Sequence, residues 1–171
     1  MARNIEIKAR VPDLAAVRAR LLSMAPTPAR TIEQKDTFFA VPNGRLKVRE
    51  FPDGSGELIA YERPDRTGPK ESVYTRVPCQ NAGLLSHALS QALVVRGIVV
   101  KHREVFIIGR TRVHLDEVEN LGSFVELEVV LQADESVHGG EQEAHALMEA
   151  LAISPAALVS QAYIDLLEHN A

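Results

Sequence analysis

The stretch Asn4-Ile5-Glu6-Ile7-Lys8-Ala9-Arg10 alternates polar or charged residues with apolar or small ones at a strict period of two. Successive side chains of a β-strand point to opposite faces, so the stretch predicts a strand with one charged and one apolar face. The pattern recurs along the chain. Arg45, Lys47 and Arg49 stand opposite Leu46 and Val48, and Arg112, His114 and Asp116 opposite Val113 and Leu115. Glu126 and Glu128 stand opposite Val125, Leu127 and Val129. Lys101 and Arg103 share a face, and Arg63 shares one with Tyr61 and Ile59, a less clean case. For any one strand the ordinary arrangement is a solvated polar face over a core. As a set these strands argue against it. The polar faces are nearly all charged rather than Thr, Ser or Gln, and the charges are sorted, cations on 45–49 and 101–103 and carboxylates on 126–128.

Eight extended segments are predicted, at 3–11, 29–41, 45–51, 57–63, 71–77, 98–108, 110–118 and 123–131. Turn signals such as Pro42-Asn43-Gly44 and Asn120-Leu121-Gly122 separate many of them, so the sheet is expected to be antiparallel. Pro12-Asp13 opens a helix carrying Leu14, Val17, Leu21 and Met24 at helical spacing, and a second helix is predicted over 82–94. Gly139-Gly140 is expected to separate the last strand from a helix over 141–151, and Ser154 to cap a final helix over 155–168 with Pro155 at its first position.

These elements predict an α+β fold in a single domain over 1–171. It is a closed eight-stranded antiparallel β-barrel, a tunnel with a charged lumen, with helices packed outside over the apolar faces. Such a lumen needs a reason, because each uncompensated buried ion costs several kcal/mol. Converging cations suit a polyanion, and clustered carboxylates suit a hard divalent cation such as Mg²⁺. A triphosphate complexed with metal satisfies both halves.

Composition narrows the partners. At 171 residues the chain can bury a sizeable core, and a net charge of −4 gives no global pull toward nucleic acid or an anionic membrane. The single cysteine, Cys79, excludes an intrachain disulfide and fits a reducing compartment. No apolar run approaches a membrane span, and charges within the first ten residues do not fit a signal peptide. The expectation is a cytoplasmic protein without nucleic-acid or membrane partners, a monomer or a homodimer.

With the charge pattern in view, NIEIKAR resembles the Glu-x-Glu-x-Lys signature of the CYTH superfamily, the triphosphate tunnel metalloenzymes. The resemblance continues through QKDTFF at 34–39, GRLKVRE at 44–50, YERPD at 61–65, GPKES at 68–72 and VKHRE at 100–104. It ends with RVHLDEVENLGSFVELEVVL at 112–131 and YIDLL at 163–167, and looks closest to the bacterial class IV adenylyl cyclase-like branch. The resemblance implies the tunnel fold and Mg²⁺ or Mn²⁺ as cofactor. It implies Glu6, Glu126 and Glu128 as catalytic metal ligands, with Asp116 a further ligand or support. Lys8, Lys47, Arg49, Arg63, Lys101, Arg103 and Arg112 would clamp the phosphates of a small-molecule triphosphate. The implied reaction is cyclisation of ATP to cyclic AMP and pyrophosphate. Hydrolysis of tripolyphosphate, a nucleoside triphosphate or thiamine triphosphate is the alternative, and a non-catalytic polyphosphate-binding module a second. One position departs from the signature: Asn4 replaces its first glutamate, offering a metal a carbonyl oxygen but no charge.

Overall fold

A computed structural model describes residues 2–170. Its strands are β1 (Ala2–Arg10), β2 (Arg30–Phe39), β3 (Arg45–Glu50), β4 (Gly56–Glu62), β5 (Lys70–Cys79), β6 (Val95–Ile108), β7 (Thr111–Val118) and β8 (Gly122–Leu131). They close in the order β1-β5-β4-β3-β2-β6-β7-β8, with β8 returning to β1 and every pairing antiparallel. The expected eight-stranded barrel is therefore the observed one. Sequential hairpins build most of it, and β1 is the closing strand, wedged between β5 and β8. The β7–β8 turn needs left-handed backbone at Asn120 (φ 62°) and Gly122 (φ 93°), residue types that tolerate it.

The inside-out arrangement also holds. The apolar faces of β1, β7 and β8 bury Ile5, Ile7, Val113, Leu115, Val125, Leu127 and Val129 beneath helices α1 (Leu14–Ser23) and α3 (Val137–Ala150). Helix α1 is started by Asp13, whose carboxylate accepts from the Ala16 amide, and it buries Val17 and Leu21. Helix α2 (Ala82–Ala92) covers β3 and β4 through Ala82, Leu85 and Leu89 against Val48, Leu46 and Leu58. Each fully buried aliphatic side chain contributes about 1.5–3 kcal/mol, so the cores lie outside the barrel wall and leave its interior free for polar groups.

Two helix expectations are corrected. Gly139 and Gly140 do not precede α3 but lie within its first turn, because Ser136 caps the His138 amide. Gly140 is required there by packing: a Cβ would come 2.7 Å from Ile5 Cγ1 and 2.8 Å from Leu131 Cδ2. The final helix is two pieces, a 3₁₀ turn at Pro155–Ala157 and α4 (Tyr163–Asn170). Between them the chain is drawn out across one mouth of the barrel. Leu158 bridges to Ala9, and the Val159 amide donates to Lys8 O at 2.9 Å. None of the described helices is long and apolar enough to cross a membrane.

Candidate active site

The lumen is a cavity of about 790 Å³. Period-two alternation delivers Asn4, Glu6 and Lys8 from β1, Gln34 and Asp36 from β2, Lys47 and Arg49 from β3, Lys101 and Arg103 from β6, Arg112 and His114 from β7, and Glu126 and Glu128 from β8. Arg63, just past β4, also lines it. Arg10 shares the inward face of β1 but lies beyond the lumen, donating to Leu121 O and stacking over Phe124.

Each of these seven inward cations is parked on a carboxylate. Asp36 receives Arg49 through two hydrogen bonds of 2.8 Å and Lys47 at 2.7 Å, with Lys101 at 3.6 Å. Arg103 forks onto Asp116 at 2.6 and 2.5 Å and reaches Glu126 at 2.5 Å. Arg63 pairs with Glu6 and Arg112 with Glu128, each at 2.7 Å. Lys8 lies 3.4 Å from Glu126 and 3.7 Å above the ring of Tyr163. The buried, charge-assisted geometry is what keeps these ions from being prohibitive.

Titration follows. Burial favours neutral Asp36, but Arg49, Lys47 and Lys101 outweigh it and hold the carboxyl well below the usual range. Burial likewise opposes ionised Glu128, yet His114, Arg112 and Arg103 hold it at about 2. For Lys101, burial and then the Arg103 charge win over Asp36 and push the ammonium down to about 7. Burial lowers Lys8 as well.

The sequence-predicted residues meet in one chamber, with one distinction among the acids. Asp116 is not on the lumen surface; it is fully buried, taken up by Arg103 and by the Tyr163 hydroxyl at 2.8 Å. Glu6 is turned to Arg63. Among the described residues, the side chains whose ligand atoms gather within 4.8 Å of one another are His114, Glu126 and Glu128. A nitrogen and two carboxylate oxygens, the nitrogen on a histidine whose buried Nδ1 has no partner, fit a divalent cation.

Three structural participants carry no assignment from sequence. Asp36 lies inside QKDTFF, and its inward period with Gln34 and Phe38 is the available signal. Tyr163, at the start of α4, enters the chamber from outside the barrel, which no local pattern announces. Lys70 is fully buried and donates to Arg66 O, Val159 O and Ser160 O, fastening the crossing segment. That segment closes one mouth, with Ala162 at its floor; Ile32, Phe51, Pro52 and Val105 also line the cavity, at the other mouth.

The PH1012 protein of Pyrococcus horikoshii OT3 superposes with a TM-score of 0.85 at 21% identity, covering 95% of this chain and 98% of its own. A protein from Vibrio parahaemolyticus designated an adenylate cyclase superposes at 0.78 with 18% identity, covering 96% and 97%. A Hippeastrum protein, designated an adenylyl cyclase and described as having a dominant triphosphatase activity, superposes at 0.64 with 16% identity, covering 99% and 96%. At these identities the likeness is one of fold. No curated protein matches the sequence. The sequence model of the CYTH domain matches residues 2–163, nearly the whole chain and all eight strands of the barrel, and the protein therefore belongs to the CYTH domain family.

Proposed function

We propose that this protein is a metal-dependent enzyme that cleaves a small-molecule triphosphate inside the barrel, with conversion of ATP to cyclic AMP and pyrophosphate as the leading reading. One observation carries it. Lys8, Lys47, Arg49, Arg63, Lys101, Arg103 and Arg112 converge on one chamber whose only described counter-ions are the protein's own carboxylates. An entering triphosphate offers those cations a denser acceptor than the carboxylates they now hold, so they would exchange partners without rebuilding the wall. Held between opposed strands, the phosphate chain would be extended and its leaving-group oxygens neutralised. Glu126 and Glu128, with Glu6 and Asp116 expected from the resemblance to assist, would hold the Mg²⁺ or Mn²⁺ ion. When bound, that ion supplies charge neutralisation at the reacting phosphorus and acidifies the attacking oxygen.

The apolar stretch at the other mouth, Ile32, Phe51 and Val105, favours a substrate with an organic group such as a nucleoside over a bare polyphosphate. Hydrolysis is the second reading. It is favoured by the triphosphatase activity ascribed to the Hippeastrum protein. Purified protein incubated with ATP or tripolyphosphate and Mg²⁺ or Mn²⁺ separates them. Cyclic AMP with pyrophosphate is expected; orthophosphate alone replaces cyclisation by hydrolysis, and no product with either metal removes catalysis. Glu128→Gln is expected to weaken metal activation by about tenfold or more, and unchanged activation would take Glu128 out of the site.

A further inference from the structure

His114 is the one member of the cation-sized cluster that is not an acid. It lies on β7 directly across the ladder from Glu126 on β8, and the shared inward face puts its ring over Glu128 as well. The residue is 4% exposed. Its Nδ1 stands 3.6 Å from Glu126 Oε2 and 3.9 Å from Glu128 Oε1, and no hydrogen-bond partner among the described residues reaches it. Those separations are too long for hydrogen bonds. They match ligands of a shared ion, since donor atoms bound at about 2.1 Å to one octahedral cation lie about 3–4 Å apart. A buried ring nitrogen left without a partner is costly unless something absent from the protein atoms fills the gap. All four acids are held by cations, Glu6 by Arg63, Asp116 by Arg103, Glu126 by Arg103 and Glu128 by Arg112, but only Glu126 and Glu128 among the described residues also gather around His114.

We propose that His114 is a nitrogen ligand of the tunnel ion, completing a mixed set with Glu126 and Glu128. The site is then tuned to a first-row transition ion, Mn²⁺, over Mg²⁺. Mg²⁺ favours oxygen donors alone, whereas imidazole contributes to transition-metal sites. The inference rests on the metal-dependent reading above and specifies its ligands.

The test uses the full chain with Mn²⁺ and inorganic tripolyphosphate, which contains no nitrogen, in a nitrogen-free buffer. Pulsed electron paramagnetic resonance of the bound Mn²⁺ is expected to show directly coordinated ¹⁴N in the wild-type protein. His114→Gln is expected to lose that coupling and to lower Mn²⁺ affinity by about tenfold or more, with Mg²⁺ affinity, measured by competition, changing less than about threefold. His114→Asp is expected to bind Mn²⁺ without the nitrogen signal and to move the preference toward Mg²⁺. Wild-type protein that binds Mn²⁺ with no coordinated ¹⁴N overturns the inference and leaves metal dependence standing. Wild-type protein that binds no Mn²⁺, with or without tripolyphosphate, overturns both. The wild-type spectrum decides the question even if a variant fails to fold.

Discussion

Asp36 and Lys101 set the resting state of the chamber. Asp36 is 1% exposed and ties up Lys47, Arg49 and Lys101, so it acts as the internal stand-in for a phosphate. Asp36→Asn leaves these cations without their counter-ion, and a loss of about 3–5 kcal/mol is expected in the unliganded protein. The same change removes the competitor for a phosphate. Tripolyphosphate should therefore bind the variant more tightly than wild type and restore much of its melting temperature. Weaker binding by the variant would show that Asp36 orients the cations rather than competing for ligand. Lys101, depressed to about 7, gives a proton-linked signature. Between that value and the ordinary 10.5 the folded protein has released a proton that the unfolded chain still holds. The penalty of burying this ammonium is therefore complete below about 7 and is relieved as pH rises toward 10.5. A phosphate beside Lys101 raises its pKa again, so binding of tripolyphosphate at pH 8 should take up as much as about one proton. Calorimetry in buffers of different ionisation enthalpy measures that uptake, and Lys101→Met should abolish it; equal uptake in the variant would assign the proton elsewhere.

Helix α3 shows how an element overrides its local signals. A Gly-Gly pair reads as a break, yet here Ser136 caps the turn and Gly140 lets the helix lie against Ile5 and Leu131. The two glycines should respond in opposite senses to one substitution. A methyl group at position 139 would meet nothing closer than Glu135 Oε1 at 3.8 Å, so Gly139→Ala should stabilise by up to about 1 kcal/mol through helix propensity. Gly140→Ala has the same propensity gain but forces a methyl into contacts of 2.7 and 2.8 Å with Ile5 and Leu131. A net loss of about 1–3 kcal/mol is expected from overpacking. Denaturant midpoints of the two variants check this, and stabilisation of both would mean that α3 can shift away from β1. The strands are easier to read than the helices, because inward and outward faces alternate residue by residue and need no knowledge of what lies across the barrel. Their ends are less legible: β5 runs on through Pro78 to Cys79, and β6 starts at Val95, where pairing partners rather than composition decide.

At the scale of the whole molecule, a closed barrel has no edge to protect and two mouths to manage. One mouth is closed by the chain segment between Leu158 and Tyr163, held by the buried Lys70 ammonium on Val159 O and Ser160 O, by Arg63 on Ser160 O and by Lys8 on Gln161 O. Lys70→Met would leave those carbonyls short of a donor while keeping the side-chain volume. Hydrogen exchange at the Val159 amide should then accelerate well ahead of amides in the β7–β8 ladder. Unchanged protection at Val159 would take the anchoring role away from Lys70. From sequence alone the chain determined which residues face inward, that the lumen is charged and that apolar faces lie outside, because side-chain direction along a strand is a local property with a period of two. What shares an ion with what was decided by tertiary structure. Register sets His114 against Glu126, pairing of β2 with both β3 and β6 brings Asp36 to cations from two other strands, and the C-terminal crossing delivers Tyr163 to Asp116. Strand pairing and the C-terminal crossing, not the local period of two, fix the distances between these residues.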